Sequence, residues 1–137
     1  MHRLEVLAAF APRFRDKKAS FGVWVPITGD GTSQHPYTFP WFDFSDLGDA
    51  FLNAAYDGGW VLNDFDWATW GHGPEGQKLV KDPKALSKAS ADQLAKLVTA
   101  LVRQDRFVEG ALASAFDSGL LLAIVERAEV LWHEQTE

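Results

Sequence analysis

The sequence predicts a mainly α-helical protein of the α+β class, with about five to six helices and a small antiparallel sheet of two or three strands. The chain has 137 residues, of which 47% are hydrophobic, and this is enough for one globular domain with its own core. Apolar residues recur at helical spacing over most of the chain. A β-branched and aromatic stretch between residues 21 and 44 is typical of strands. We therefore treat residues 1–137 as a single domain.

The N-terminal part is expected to form one helix and the sheet. Residues 3–15 carry apolar side chains at helical spacing with arginines off that stripe, which predicts an amphipathic helix. Residues 21–27 and 37–44 are predicted to be two strands joined by a long polar loop. Pro26 and Pro40 have no backbone N–H, so each belongs at a sheet edge or a bulge.

A capped helix is expected to follow the second strand. Ser45 or Asp46 caps a helix that runs through Asp57, and the two glycines after it end the helix. Residues 60–62 then form a short extended piece, which is the candidate third strand.

The middle of the chain is expected to contain short helices. Asp66 caps a helix that carries Trp67 and Trp70, and the glycines and proline of residues 71–76 interrupt it. Asp82 followed by a proline marks the start of another helix.

Longer helices are expected in the C-terminal part. Ser90 and Gln93 form a capping box that opens a helix ending near Arg106. Helices over residues 107–118 and 120–133 follow, separated by one glycine.

Charged and aromatic residues are unevenly distributed. Residues 19–77 contain no Lys or Arg, eight acidic residues and five of the six tryptophans. One interpretation is an aromatic core with the aspartates as helix caps. The other is an acidic, aromatic groove that binds a cation, a basic peptide or a sugar. Both disfavour nucleic acid as a partner, because a phosphate backbone requires a basic face.

The most specific local string runs from Arg103 to Gly110. If one helix continues through it, Glu109 lies about one turn from Asp105 and from Arg106, and charged groups can link neighbouring turns. Alternatively, Arg103 and Arg106 are three residues apart and offer two guanidinium forks to a carboxylate or a phosphate.

The leading hypothesis is a module that binds a small molecule or a protein partner where the aromatic acidic region meets the arginine-rich junction. The candidate ligand-binding residues are Trp60, Asp66, Trp67, Trp70, Arg103, Asp105, Arg106 and Glu109.

Two alternatives stay open. One is an enzyme that uses carboxylates for acid–base chemistry. Its candidate residues are Asp64, Asp66, Asp105 and Glu109, with His72 as a base. The other is an assembly protein, in which the amphipathic helix over residues 120–133 packs on a second copy to form a homodimer.

Motifs for cofactors and metals are weak. Residues 71–76 match the pattern G-x-G-x-x-G, but a helix is expected before them instead of a strand, so we interpret them as a loop and expect no cofactor. A metal site would need His72 with Asp64, Asp66 and Glu75. A single histidine among capping aspartates is more typical of a turn, so we expect no metal.

Two groups of residues resemble the signature regions of a known family. They are Gly59-Trp60-Val61 with Phe65-Asp66-Trp67 and Trp70, and Arg103-x-Asp105-Arg106-Phe107-x-Glu109-Gly110. The family is a bacterial one of unknown function, numbered 6508 among such domains, and the resemblance runs from about Phe42 to Leu131. It implies a small bacterial protein and brings no established activity, cofactor or catalytic residue.

The composition also indicates a cellular compartment. The chain has no cysteine, which excludes disulfides and thiolate chemistry and is compatible with the cytoplasm. It has no apolar stretch long enough for a membrane span. We therefore expect a cytoplasmic protein without membrane contact.

Overall fold

The computed structural model describes the backbone of residues 2–136 and the side chains of residues 2–135. It has a mainly helical architecture with one small sheet. The elements, in chain order, are α1 (Arg3–Ala8), α2 (Phe10–Arg15), β1 (Gly22–Val25), β2 (Trp41–Phe44), α3 (Asp46–Asp57), α4 (Trp67–His72), α5 (Pro74–Lys81), α6 (Pro83–Leu86), α7 (Ala91–Phe107), α8 (Ala111–Asp117) and α9 (Leu120–Thr136).

The predicted fold class is confirmed, and the predicted number of helices is too low. Helices α1 and α2 are separated only by Ala9, which itself has helical backbone angles, so they form one bent helix. The helix that the sequence did not predict is α5, which lies between the expected helices α4 and α6.

The sheet contains β1 and β2 alone within the described residues, and they pair antiparallel with Gly22 opposite Phe44 and Val25 opposite Trp41. Each strand is shorter than predicted. β1 ends before Pro26 and β2 begins after Pro40, which is where the backbone donor is missing.

The extended piece at residues 60–62 is not a third strand. Its backbone groups bond to a side chain of α7 instead of to the sheet. The Leu62 N–H donates to the Thr99 hydroxyl at 2.9 Å, and that hydroxyl lies 3.1 Å from the Trp60 carbonyl oxygen. The segment is therefore attached to the helical core.

The predicted caps are present. The side chains of Ser45, Asp66 and Asp82 each accept a backbone N–H at the start of α3, α4 and α6. Ser90 and Gln93 form the reciprocal capping box of α7. These caps satisfy backbone donors that have no partner inside the helix, and so they set where each helix begins.

Helix α9 lies at the centre of the packing, against α1, α2, α6, α7 and α8. Leu121, Ile124, Val125 and Ala128 on its apolar stripe are completely buried. Arg15 of α2 also pairs with Glu126 and Glu129 on α9. This part of the stripe, which the assembly-protein alternative would place against a second copy, is packed within the chain.

Candidate functional site

A groove runs between the α3–α4 connection and the C-terminal end of α7. It encloses about 360 Å³ and is lined by Leu62, Asp64, Phe65, Trp67, Arg103, Arg106 and Phe107. The rings of Trp67 and Phe107 are stacked with their centres 5.9 Å apart. Phe107 is 77% exposed, so one aromatic surface of the groove is open to a ligand. We call this the arginine groove.

Arg103 and Arg106 are the cations of the arginine groove. Among the described residues, neither has a side-chain hydrogen bond, an ion pair or a cation–π contact, although each of the other four arginines has one. The two lie three residues apart on α7, so they are neighbours on its surface. The structure therefore brings together two cations whose donors are available.

The acidic residue of the groove is Asp64. Its φ is 54°, a left-handed conformation that few residues other than glycine adopt, although aspartate tolerates it better than most. From the sequence, Asp64 was a candidate only for catalysis and for a metal site. Leu62, Phe65 and Phe107 were not among the predicted site residues, although Phe65 and Phe107 both belong to the signature strings.

Asp105 and Glu109 have structural partners outside the groove. Helix α7 ends at Phe107, so the two carboxylates do not link neighbouring turns as expected. Asp105 accepts the N–H of Leu112 in α8 at 3.0 Å, and Glu109 accepts the N–H of Phe42 in β2 at 2.7 Å. They hold α8 and the sheet against the junction, because each satisfies a backbone donor of another element.

Asp66 lies at the N-terminus of α4, where it accepts the N–H of Thr69 at 3.2 Å. Hydrogen bonds from the hydroxyl and the backbone N–H of Thr69 lower the pKa of Asp66 below its usual value. Its carboxylate is therefore ionised at neutral pH, and its observed contact is that of a helix cap next to Trp67.

Trp60 lies in the core, away from the arginine groove. Its side chain is completely buried, and its indole N–H donates to the Arg3 carbonyl oxygen at 2.9 Å. The Arg3 guanidinium covers the ring at 4.7 Å. The structure thus leaves no surface of Trp60 for a ligand.

A second depression lies on the other side of Trp67, between α4, α5 and α7. It encloses about 190 Å³. Its lining consists of Trp67, Ala68, Trp70, Gly71, His72, Gly76, Gln77, Val80, Leu97, Ala100, Leu101 and Gln104. We call it the apolar cavity. Trp70 and the possible base His72 are here and not in the arginine groove, so the structure divides the predicted site into two adjoining places that share Trp67.

Six of the signature residues line these two places: Phe65, Trp67, Trp70, Arg103, Arg106 and Phe107. The family model described as "Family of unknown function (DUF6508)" matches residues 1–134. The chain belongs to this family. The match also covers the helix and sheet segments before Phe42, to which the resemblance did not extend. A search of curated proteins and a search of solved structures returned no match.

The glycine-rich string of this DUF6508 chain is mostly helical, so the loop interpretation of residues 71–76 is wrong. Gly71 lies in α4 and Gly76 in α5, and only Gly73 separates the two helices. Gly76 is buried because the two helices pack closely at this point, and an added Cβ would lie 2.4 Å from the Trp70 carbonyl oxygen. At Gly71 the nearest neighbour of an added Cβ is the Ala100 Cβ at 3.8 Å.

This difference predicts opposite effects for two alanine substitutions. We expect Gly76→Ala to lower the free energy of unfolding by about 1–3 kcal/mol through overpacking. Gly71→Ala is expected to leave it unchanged or to raise it by up to about 1 kcal/mol, because alanine favours a helix more than glycine does. Urea unfolding of both variants measures the difference, and equal free energies would contradict the packing described here.

Among the residues that the structure describes, no three His, Asp or Glu side chains lie close enough to hold a metal ion. In the same part of the DUF6508 chain, no helix is both long and apolar enough to cross a bilayer. Of the four carboxylates considered for catalysis, Asp64 is the one that lines the arginine groove.

Proposed function

We propose that this DUF6508 protein is a binding module for a small amphipathic anion. The anionic group, a carboxylate or a phosphate, binds Arg103 and Arg106, and a flat part of the ligand lies against Trp67 and Phe107. The observation that carries the proposal is that these two arginines, alone among the six, have no partner within the described residues and line one groove.

Physical chemistry supports an anion at this place. A guanidinium presents a planar fork of donors that matches two oxygens of a carboxylate or phosphate. The protein has a net charge of −6, which disfavours long polyanions, so a compact anion that contacts only the groove fits best.

A cation is a poorer fit to the same region. A cation site needs several carboxylates facing one aromatic surface. Here Asp66, Asp105 and Glu109 are each bonded to a backbone N–H of the chain, and Asp64 is the one acid among the described residues that lines the groove. The same hydrogen bonds argue against catalysis by a pair of carboxylates, because Asp66, Asp105 and Glu109 each already have a structural partner.

Benzoate and benzamide provide the test, because they have nearly the same shape and differ in charge. We expect benzoate to bind at least about tenfold more tightly, since each charge-assisted hydrogen bond contributes about 1.5–3 kcal/mol. Arg103→Gln and Arg106→Gln are each expected to weaken benzoate binding by about tenfold or more. Higher salt should weaken it as well. Calorimetry measures the affinities, and amide chemical shifts locate the bound probe.

Arg13→Gln is the matched control. Arg13 lies over the Phe10 ring on α2 and is not part of the groove, so its loss changes the net charge equally and should leave benzoate binding nearly unchanged. Equal affinity for benzamide and benzoate, or full binding by the two groove variants, would refute the proposal.

A further inference from the structure

One wall residue of the apolar cavity, Trp70, has a buried donor that has no partner among the described residues. The Trp70 indole N–H is inaccessible to solvent and makes no hydrogen bond within the part of the chain that the structure describes. Buried polar groups are almost always hydrogen-bonded, and an exception requires an explanation. The indole belongs to the wall of the cavity, beside the aliphatic side chains of Leu97 and Leu101.

The dimensions of the cavity limit what it can hold. Its volume is about 190 Å³. An engineered apolar cavity of about 150 Å³ in another protein binds benzene, so this one accommodates a single ring with a small substituent. It lies between three helices and opens to solvent, which gives a small molecule an entry path without unfolding.

The lining also limits the chemistry. Among the described residues, no Lys, Arg, Asp or Glu side chain lines this cavity, and its polar side chains besides the indoles are His72, Gln77 and Gln104. The Gln77 amide nitrogen already donates to the Gly71 carbonyl oxygen at 2.7 Å. A neutral, compact and largely apolar group therefore fits the cavity, whereas an ion would lose its hydration without gaining a counter-charge.

We propose that the apolar cavity binds a compact, neutral aromatic group that carries one hydrogen-bond acceptor, and that the indole N–H of Trp70 donates to this acceptor. The binding we propose requires the half-buried indole to rotate so that its N–H faces the cavity. The rotation is favourable because it replaces an unpaired buried donor with a paired one.

The cavity and the arginine groove share Trp67 as a common wall. We therefore assign the cavity to a further, neutral aromatic end of the amphipathic anion, beyond the flat part that lies against Trp67 and Phe107 in the groove. This assignment rests on the proposed function, whereas the cavity's affinity for a neutral group does not depend on it.

Acetophenone and isopropylbenzene form a matched pair of probes, of similar size and shape, of which only the first has an acceptor. We expect acetophenone to bind about tenfold more tightly and to shift the Trp70 indole N–H resonance downfield. In Trp70→Phe the two probes should bind equally. Absence of binding, or equal binding without a shift at Trp70, would overturn the inference.

Substitutions in the wall test the location. Ala100→Leu fills the cavity and should abolish acetophenone binding, whereas Ala123→Leu makes the same change on α9, outside the cavity, and should not. If Ala100→Leu does not fold, Gly71→Ala places a methyl in the same wall without a clash and should weaken binding severalfold. Unchanged affinity in the folded wall variant would overturn the inference.

The arginine variants separate the two proposals. Arg103→Gln and Arg106→Gln should bind acetophenone as the parent protein does, even if they lose benzoate. Loss of acetophenone in these variants would place the probe in the arginine groove and overturn the cavity assignment. If benzoate fails to bind while acetophenone shifts Trp70, the proposed function fails and the cavity's affinity for a neutral group stands.

Discussion

Replacing Trp60 with alanine is expected to lower the free energy of unfolding by about 3–5 kcal/mol, the range typical of large-to-small substitutions in a core. The indole is completely buried, and it connects residues that are far apart in the sequence. Its N–H donates to Arg3 in α1, and its backbone carbonyl lies beside the Thr99 hydroxyl of α7. Alanine would leave a cavity at the centre and remove the hydrogen bond that links this segment to α1.

Urea unfolding measures this loss, and Trp41→Ala is the matched control. Trp41 is 47% exposed on β2, so its removal should change the free energy of unfolding by less than about 1 kcal/mol. Trp60→Phe should lie in between, because it keeps an aromatic ring and loses the donor. A Trp60→Ala variant as stable as Trp41→Ala would contradict the core position of Trp60 and reopen its assignment to a ligand site.

Thr99→Val should lower the free energy of unfolding by about 1–3 kcal/mol, although the two side chains have nearly the same shape. Thr99 is completely buried. Its hydroxyl accepts the Leu62 N–H and donates its one proton to the carbonyl of Ala95 or of Trp60. Valine leaves the Leu62 N–H without a partner, and a buried unsatisfied group costs about 1–3 kcal/mol.

Thr99→Ser distinguishes the hydrogen bonds from packing. Serine keeps the hydroxyl and loses one methyl, so it should cost only about 1 kcal/mol. Hydrogen exchange at the Leu62 amide should accelerate in Thr99→Val and much less in Thr99→Ser. If serine and valine destabilise equally, the hydroxyl does not hold the segment at residues 60–62.

The helix starts were predictable because a cap depends on residues that are close together in the sequence. Ser45, Asp66, Asp82 and the capping box at Ser90 all bond within three residues of themselves. The strand ends were less predictable. A proline marks a missing donor, but the number of paired residues depends on the partner strand, and both strands are shorter than expected.

The candidate site was predicted in part. The sequence indicated both Arg103 and Trp67, which share the groove, and Trp70, which lies in the adjoining cavity. It also indicated Trp60, which packs in the core. The sequence cannot show which tryptophan of the aromatic acidic segment is buried in the core and which lines the site. Burial depends on which distant elements pack against each ring.

By itself, then, the sequence determined the fold class, the order of the principal helices, the helix caps and the family, since all of these depend on local patterns and specific strings of residues. Only the tertiary structure decided which charges are free. Asp105 and Glu109 are bonded to Leu112 and Phe42, whereas Arg103 and Arg106 have no partner among the described residues. A carboxylate finds its backbone donor only after α8 and β2 have been packed beside it, so spacing along one helix cannot show the result.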